Sequence, residues 1–304
     1  MTAFFQNAID AIALGSLFAL TALGIGLIFG VMRLINFAHG DFIMIGGYSL
    51  IVPSSAMTAT LFIGAWPTPF LVATICLIII VLAVASERLA FRPLRDAQPS
   101  VLLITSFALS FFFEHLVIMI YGGRPKALNL WGGLIEPVMV AGVRIPALQI
   151  ITIGVTVTLL LLLVLFLRYT PMGVAIRAAS EDFRMARLLG VRANRVIAVA
   201  FAISGFLAAV VSLLLVAQTG VLSFHMGIPL VLFAFVATVV GGMGSLVGAV
   251  LGGFVVGVSS VVFQTVLPID LRPNRDVFVY GMVLLILLFR PSGLVKVKSI
   301  EEKV

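Results

Sequence analysis

Three groups of polar residues stand out in a chain that has few of them. Glu114 and His115 fall within the apolar run SFFFEHLVIMI. A charged carboxylate at the centre of a membrane helix costs ~2.5–3.5 kcal/mol and by default marks a function. Glu114 therefore reads either as a proton-coupling or path-lining group, or as a protonated side chain hydrogen-bonded to a neighbouring helix. Adjacent helical residues point about 100° apart, so Glu114 and His115 do not simply pair. Asn36, His39 and Asp41 form the second group, in RLINFAHGD, where the chain leaves one apolar run and enters the next. They suit a polar cluster that lines or latches a transport path. They equally suit a local cap, with Asp41 at the N-cap of the next helix and Asn36 and His39 satisfying freed carbonyls.

The third group is TPMGVAIRAASEDFRMARLLGVRANR, residues 170–195. Gly173 to Leu189 has helical composition but is too polar to span a bilayer. Ala175, Ala178, Ala179, Ala186 and Leu189 make a small-residue face between arginines and the acidic pair Glu181–Asp182, and Gly190 follows as a helix stop. Such an element suits docking into another protein's groove. An ordinary solvated loop has the same composition.

Other chemistries lack their residues. There is no GxxxxGK[ST] loop to cradle nucleotide phosphates, no HExxH, no cysteine–histidine cluster at metal-ligand spacing, and no GxSxG elbow. His39, His115 and His225 lie on separate segments. No catalytic residue, metal or cofactor is expected. The single cysteine, Cys76, excludes a disulfide framework within one chain.

The elements that must position these groups follow from composition. Hydrophobic residues make up 62% of the 304, charged residues 10%, and mean hydropathy is +1.26. A soluble domain carries about 25% charged residues, so the chain belongs in a bilayer. Runs of about 20 apolar residues occur at Ala8–Met32, Phe42–Ala65, Pro69–Ser86, Val101–Tyr121, Pro146–Leu167 and Val196–Ala217. Pro229–Val266 is too long for one helix and is broken by GGMGSLVG, and a last run covers Val277–Phe289. The expected fold is an all-α polytopic membrane protein of about eight or nine transmembrane helices, one domain over 1–304. Gly248–Gly252 and Gly253–Gly257 have GxxxG spacing, for packing within the protomer or against a second membrane subunit. The opening MTAFFQNAID lacks a basic n-region, so no cleaved signal peptide is expected.

Charge sets the expected orientation. Arg33, Arg88, Arg92, Arg95, Arg168, Arg177, Arg184, Arg187, Arg192, Arg195, Arg290, Lys296, Lys298 and Lys303 fall on one side, 14 of the 19 basic residues. Arg124, Lys126, Arg144, Arg272 and Arg275 fall on the other. Cytoplasmic loops carry the excess of Lys and Arg, which gives an external N-terminus and a cytoplasmic C-terminus. The net charge of +7 is therefore topology rather than a nucleic-acid surface.

Five stretches carry a resemblance: GVMRLINFAHGDFIMIGGY (Gly30–Tyr48), ERLAFRPLR (Glu87–Arg95), GVAIRAASEDFRMARLLGV (Gly173–Val191), FAFVATVVGGMGSLVGAVLGG (Phe233–Gly253) and RPSGL (Arg290–Leu294). Together they resemble the H-type (LivH-like) permease subunit of branched-chain amino-acid ABC importers over essentially the whole chain. The resemblance implies a bacterial inner-membrane protein that pairs with an M-type permease and two cytoplasmic ATPase subunits. An external solute-binding protein would deliver the amino acid. It also implies that residues 170–195 are the coupling loop, with Glu181, Asp182, Ala186, Arg187 and Gly190 at the contact. Against the importer pattern EAA-x3-G the chain reads RMA-RLL-G: Ala186 and Gly190 match, and Arg184 and Met185 depart. Asn36, His39, Asp41 and Glu114 remain the candidates for the substrate path or gate. Other substrates of related permeases, urea or short amides, stay open. So do an ion-coupled secondary carrier working without ATPases, which would use Glu114 or Asp41, and a channel-like subunit.

Overall fold

The computed structural model describes residues 2–295 except 55, 96, 135, 141 and 142. Lys296, Lys298 and Lys303 of the expected basic tail lie outside the described residues. Six helices are long and apolar enough to cross a membrane: α1 (Thr2–Met32), α3 (Thr68–Ser86, continued by short turns to Leu94), α4 (Pro99–Tyr121), α5 (Ala147–Tyr169), α8 (Ala193–Thr219) and α10 (Leu246–Val266). Shorter helices are α2 (His39–Tyr48), α6 (Pro171–Glu181), α7 (Phe183–Leu188), α9 (Gly227–Gly241) and α11 (Arg275–Phe289). The chain is a polytopic all-α membrane protein. Its few strands, β1 (Lys126–Ala127) with β4 (Val221–Leu222) and the hairpin β2 (Pro137–Val140) with β3 (Val143–Pro146), sit in loops.

Burial sorts the helices into centre and periphery. The apolar windows of α1 and α8 are 83% and 67% buried, those of α3, α4 and α5 only 22–28%. Without water to drive association, helices in lipid gain by close van der Waals packing, and the glycines serve that purpose inside the protomer. On α10, a Cβ at Gly253 would collide with the Ala19 backbone and one at Gly257 with that of Gly15, both on α1. Gly252 similarly abuts the Ala237 carbonyl of α9. The GxxxG spacings thus join α10 to α1 and α9 of the same chain.

The long run Pro229–Val266 divides at the glycine-rich turn, as its length demanded. Gly242 and Gly244 have φ of 108° and 93°, and the Ser245 hydroxyl caps α10 by accepting from Gly248 N at 3.0 Å. The run Phe42–Ala65 differs from expectation. Its helix stops at Tyr48, and the described residues of 49–67 form no further α-helix, only a 3-10 turn and isolated bridges of Ile51 with Leu61 and Thr58 with Ala127. Pro53, which has no N–H, and the polar Ser54, Thr58 and Thr60 break the apolar period. Lys126 holds this segment: it is buried, with Nζ donating to the carbonyls of Ser54 and, at 2.8 Å, Ala56.

Candidate functional site

One end of the bundle gathers Arg33, Arg92, Arg95, Arg187, Arg192 and Arg195 and carries the α6–α7 element. Helix α6 starts on a Thr170 cap, whose hydroxyl accepts from Gly173 N at 3.0 Å. The expected single helix over Gly173–Leu189 is two helices, because Asp182 is extended (φ −142°, ψ 102°). Its carboxylate accepts from Met185 N at 3.0 Å and so begins α7, an N-cap. Gly190 ends α7 at φ 89°. Gly190 N donates to Arg187 O at 3.1 Å and Val191 N to Ala186 O at 3.0 Å, the hydrogen-bond pair of a Schellman cap.

The face expected to dock is divided: its alanines turn inward, while Leu189 is exposed. Ala179 and Ala186 are buried, and Ala175 and Ala178 pack partly buried against the core. The small side chains let α6 lie close to the membrane helices: a Cβ at Gly173 would collide with the backbone of Phe166 and Leu167. The outward surface is instead Leu188 and Leu189, 81% and 79% exposed, with Met185, Arg187 and Gly190 beside them and Glu181 and Asp182 exposed at the α6–α7 corner. Apolar side chains that stand clear of the molecule in this way suit the centre of an interface, with the charges as its rim.

The second group lies inside the bundle. Between α1 and α2 the chain is non-helical from Leu34 to Ala38 and climbs back into the bundle. Irregular backbone at membrane depth requires protein partners. Ser106 of α4 supplies one by donating to Ile35 O at 3.3 Å, and Phe37 stacks on Phe107 of α4 with ring centroids 4.3 Å apart. His39 opens α2 fully buried, its Nδ1 3.0 Å from the Ser204 hydroxyl of α8. Its ring fills the space beside Gly24 of α1, where a Cβ would collide with it. Gly24 lies two turns inside the end of α1, about 12 Å at 1.5 Å per residue.

The capping reading of this group does not hold. Ala38 is the N-cap of α2 and makes no side-chain bond, while Asp41 sits within the first turn. Asp41 is buried near Ser110 and Glu114 of α4, and its Oδ2 has no hydrogen-bond partner. Asn36 satisfies no carbonyl: it is fully buried with both amide atoms unpartnered. Glu114 contacts the His225 imidazole from the segment between α8 and α9, a loop rather than the neighbouring helix that the packing reading named. His115 turns away to stack on Phe111. The structure thus sets His39 and Asp41 of α2 beside Ser204 of α8 and Glu114 of α4 respectively, with Asn36 buried in the turn just before α2. Ser204 and His225 are partners that their positions on remote segments did not disclose. Ser204→Ala should strand His39 Nδ1 and lower stability by about 1–3 kcal/mol. Thermal unfolding in detergent measures this, with the exposed Thr265→Ala as the near-neutral control.

Comparison with known proteins decides what kind of membrane protein this is. Residues 7–288 match the family model described as the branched-chain amino acid transport system / permease component. The chain belongs to that permease family. It is 34% identical to the high-affinity branched-chain amino acid transport system permease protein LivH of Salmonella typhimurium, over 98% of this chain and 97% of that one. The permease protein BraD of Pseudomonas aeruginosa is likewise 34% identical, over 98% of both chains. A probable LivH from the archaeon Methanocaldococcus jannaschii is 25% identical over 82% of this chain and 78% of its own. These relatives are transport permease subunits, not enzymes.

Proposed function

We propose that the chain is the membrane subunit of an ATP-driven importer that passes branched-chain amino acids delivered by an external solute-binding protein. It would cross a bacterial inner membrane eight or nine times, with its N-terminus outside and C-terminus in the cytoplasm. An M-type permease and two cytoplasmic ATPase subunits complete the assembly, and ATP hydrolysis belongs to the latter. The single observation that carries this reading is the exposed Leu188–Leu189 pair on α7. It lies between the Asp182 and Gly190 caps at the end where basic residues concentrate.

The geometry supports a route for the stroke. An ATPase groove that grips α7 moves α6, which packs on α5, α8 and the end of α1. Arg33 of the last connects to it through Ser180 O at 3.4 Å. Helix α1 is locked to α10 through Gly15 and Ala19, so the pair moves as one body. Rocking of that body against α4 and α8 would part the buried polar group at its weakest point, where Asn36 and Asp41 keep buried polar atoms without partners. Such atoms carry a desolvation cost that an open, wetted path removes. Asn36, His39, Asp41 and Glu114 are thus proposed to line or gate the path, and Glu181, Asp182, Ala186, Arg187 and Gly190 to shape the coupling element.

Two experiments test the assignment. In the reconstituted assembly, the leucine-loaded binding protein should stimulate ATP hydrolysis; a urea-loaded one that works where the leucine-loaded one fails would reassign the substrate to urea or short amides. Glu114→Gln keeps the shape of the side chain beside His225 but removes the carboxylate. ATP-dependent uptake by this variant should match wild type. Loss of its uptake, with uptake driven by a pH gradient in vesicles holding the wild-type chain alone, would make it an ion-coupled carrier.

A further inference from the structure

At the arginine-rich end, a cavity of about 830 Å³ lies where α1, the α3 extension and α8 end. It falls within the ~300–1,000 Å³ of small-ligand sites. Its charged lining comes from three distant stretches: Arg33, then Arg92 and Arg95, then Arg187, Arg192 and Arg195. Arg95 is already engaged by the buried Glu87 and by Asn194 at 2.5 Å, which fixes that wall. No acidic side chain is among the described residues lining the cavity. The positive-inside tendency alone scatters arginines over loops and gives no reason for guanidiniums from remote segments to converge on one concavity. Their mutual repulsion is relieved by an anion, and planar guanidiniums match phosphate oxygens in bidentate fashion. The first turn of α8 also opens here without a side-chain cap, adding N–H donors of the favourable sign. The remaining wall is apolar, with Met32, Leu102 and Ile197.

We propose that this cavity binds the phosphate headgroup of an anionic membrane phospholipid, held by Arg33, Arg92, Arg187, Arg192 and Arg195, with the apolar wall against the glycerol and first acyl carbons. The inference rests on charge and shape and does not need the transport reading, although Arg187 also borders the proposed coupling surface. A headgroup seated against Phe183 and Arg187 of α7 would make the position of the α6–α7 element sensitive to the lipid of that leaflet.

The test uses the full chain, purified in mild detergent and charged with phosphatidylglycerol or phosphatidylcholine, with bound lipid counted by native mass spectrometry. Phosphatidylglycerol should be retained selectively. A basic group near an anionic surface is worth about fivefold in binding, so R92Q/R195Q should lose about 25-fold. R88Q/R177Q removes two exposed arginines that do not line the cavity and should lose nothing. Inorganic phosphate at millimolar concentration should not displace the lipid. Both double variants are checked for a monodisperse profile and an unshifted Tm; if R92Q/R195Q fails, R195Q alone should lose about fivefold. Equal retention of phosphatidylcholine, or an equal loss in R88Q/R177Q, would overturn the proposal. Displacement by inorganic phosphate would transfer the site to a soluble phosphate compound. Loss of the lipid on assembly with the ATPase subunits would assign the cavity to an acidic segment of that partner.

Discussion

Replacing Leu188 and Leu189 with aspartate should stop ATP-driven uptake while leaving the permease folded. Both side chains are about four-fifths exposed in the isolated chain, so their loss removes little from the protomer. Surface changes away from packed features shift stability by about ±0.5 kcal/mol. In an ATPase groove they become the buried centre of the contact, where truncating a hot-spot residue costs at least about 2 kcal/mol, some thirtyfold in affinity. Charge buried there costs more. The expected result is a normal Tm in detergent, ligand capture by the binding protein unaffected, and uptake lowered by at least about thirtyfold. A bulky residue at Gly190 should act in the same direction for a different reason: its φ of 89° strains any L side chain, so the cap of α7 loosens. Uptake at the wild-type rate in the double aspartate variant would remove α7 from the coupling path.

The largest effect on folding is expected at Gly253. Helix α10 approaches α1 so closely that a Cβ there would meet the Ala19 backbone, and backbone cannot move aside as a flexible side chain can. Gly253→Leu must therefore push the two most extensively packed helices apart. Overpacking a well-filled core costs typically 1–3 kcal/mol, and separating backbones in lipid also forfeits the dispersion contacts that hold the pair. The expected outcome is loss of monodisperse protein, against little change for Gly154→Leu on α5, where a Cβ meets nothing within 4 Å. Both substitutions add the same side chain to a membrane helix, so the difference isolates the contact. Equal yields and Tm values would show that α1 and α10 do not pack this way.

Much of the fold could be read from the chain because lipid makes one strong demand, long apolar runs, which residues met openly in α1, α3, α4, α5, α8 and α10. The glycine-broken run over Pro229–Val266 was equally plain, since its length excluded a single helix. Phe42–Ala65 was misjudged because hydropathy does not register where backbone partners lie. The Lys126 ammonium, remote in the chain, donates to the Ser54 and Ala56 carbonyls after Pro53, which a helix would otherwise have to satisfy. The site followed the same division. Asn36, His39 and Asp41 were visible by rarity, and Glu114 by its depth. Their partners Ser204 and His225 were not, because a serine in a span commonly bonds its own helix and a loop histidine has no periodicity. The alanines of the α6–α7 face turned inward, while Leu189 stayed exposed, for a related reason. Small residues allow close approach to any surface, and composition does not say whether that surface is the protein's own bundle or a partner's groove.

Placement of α7 against an ATPase is the central claim, and a cysteine at Leu188 tests it directly. The only native cysteine, Cys76, is buried, so a thiol cross-linker applied to the assembled Leu188→Cys transporter reports on that one position. The account predicts a single adduct with the ATPase subunit whose yield changes on adding ATP. An adduct with the solute-binding protein would put this end on the opposite side of the membrane. No adduct in an assembly that still takes up leucine would contradict the docking itself.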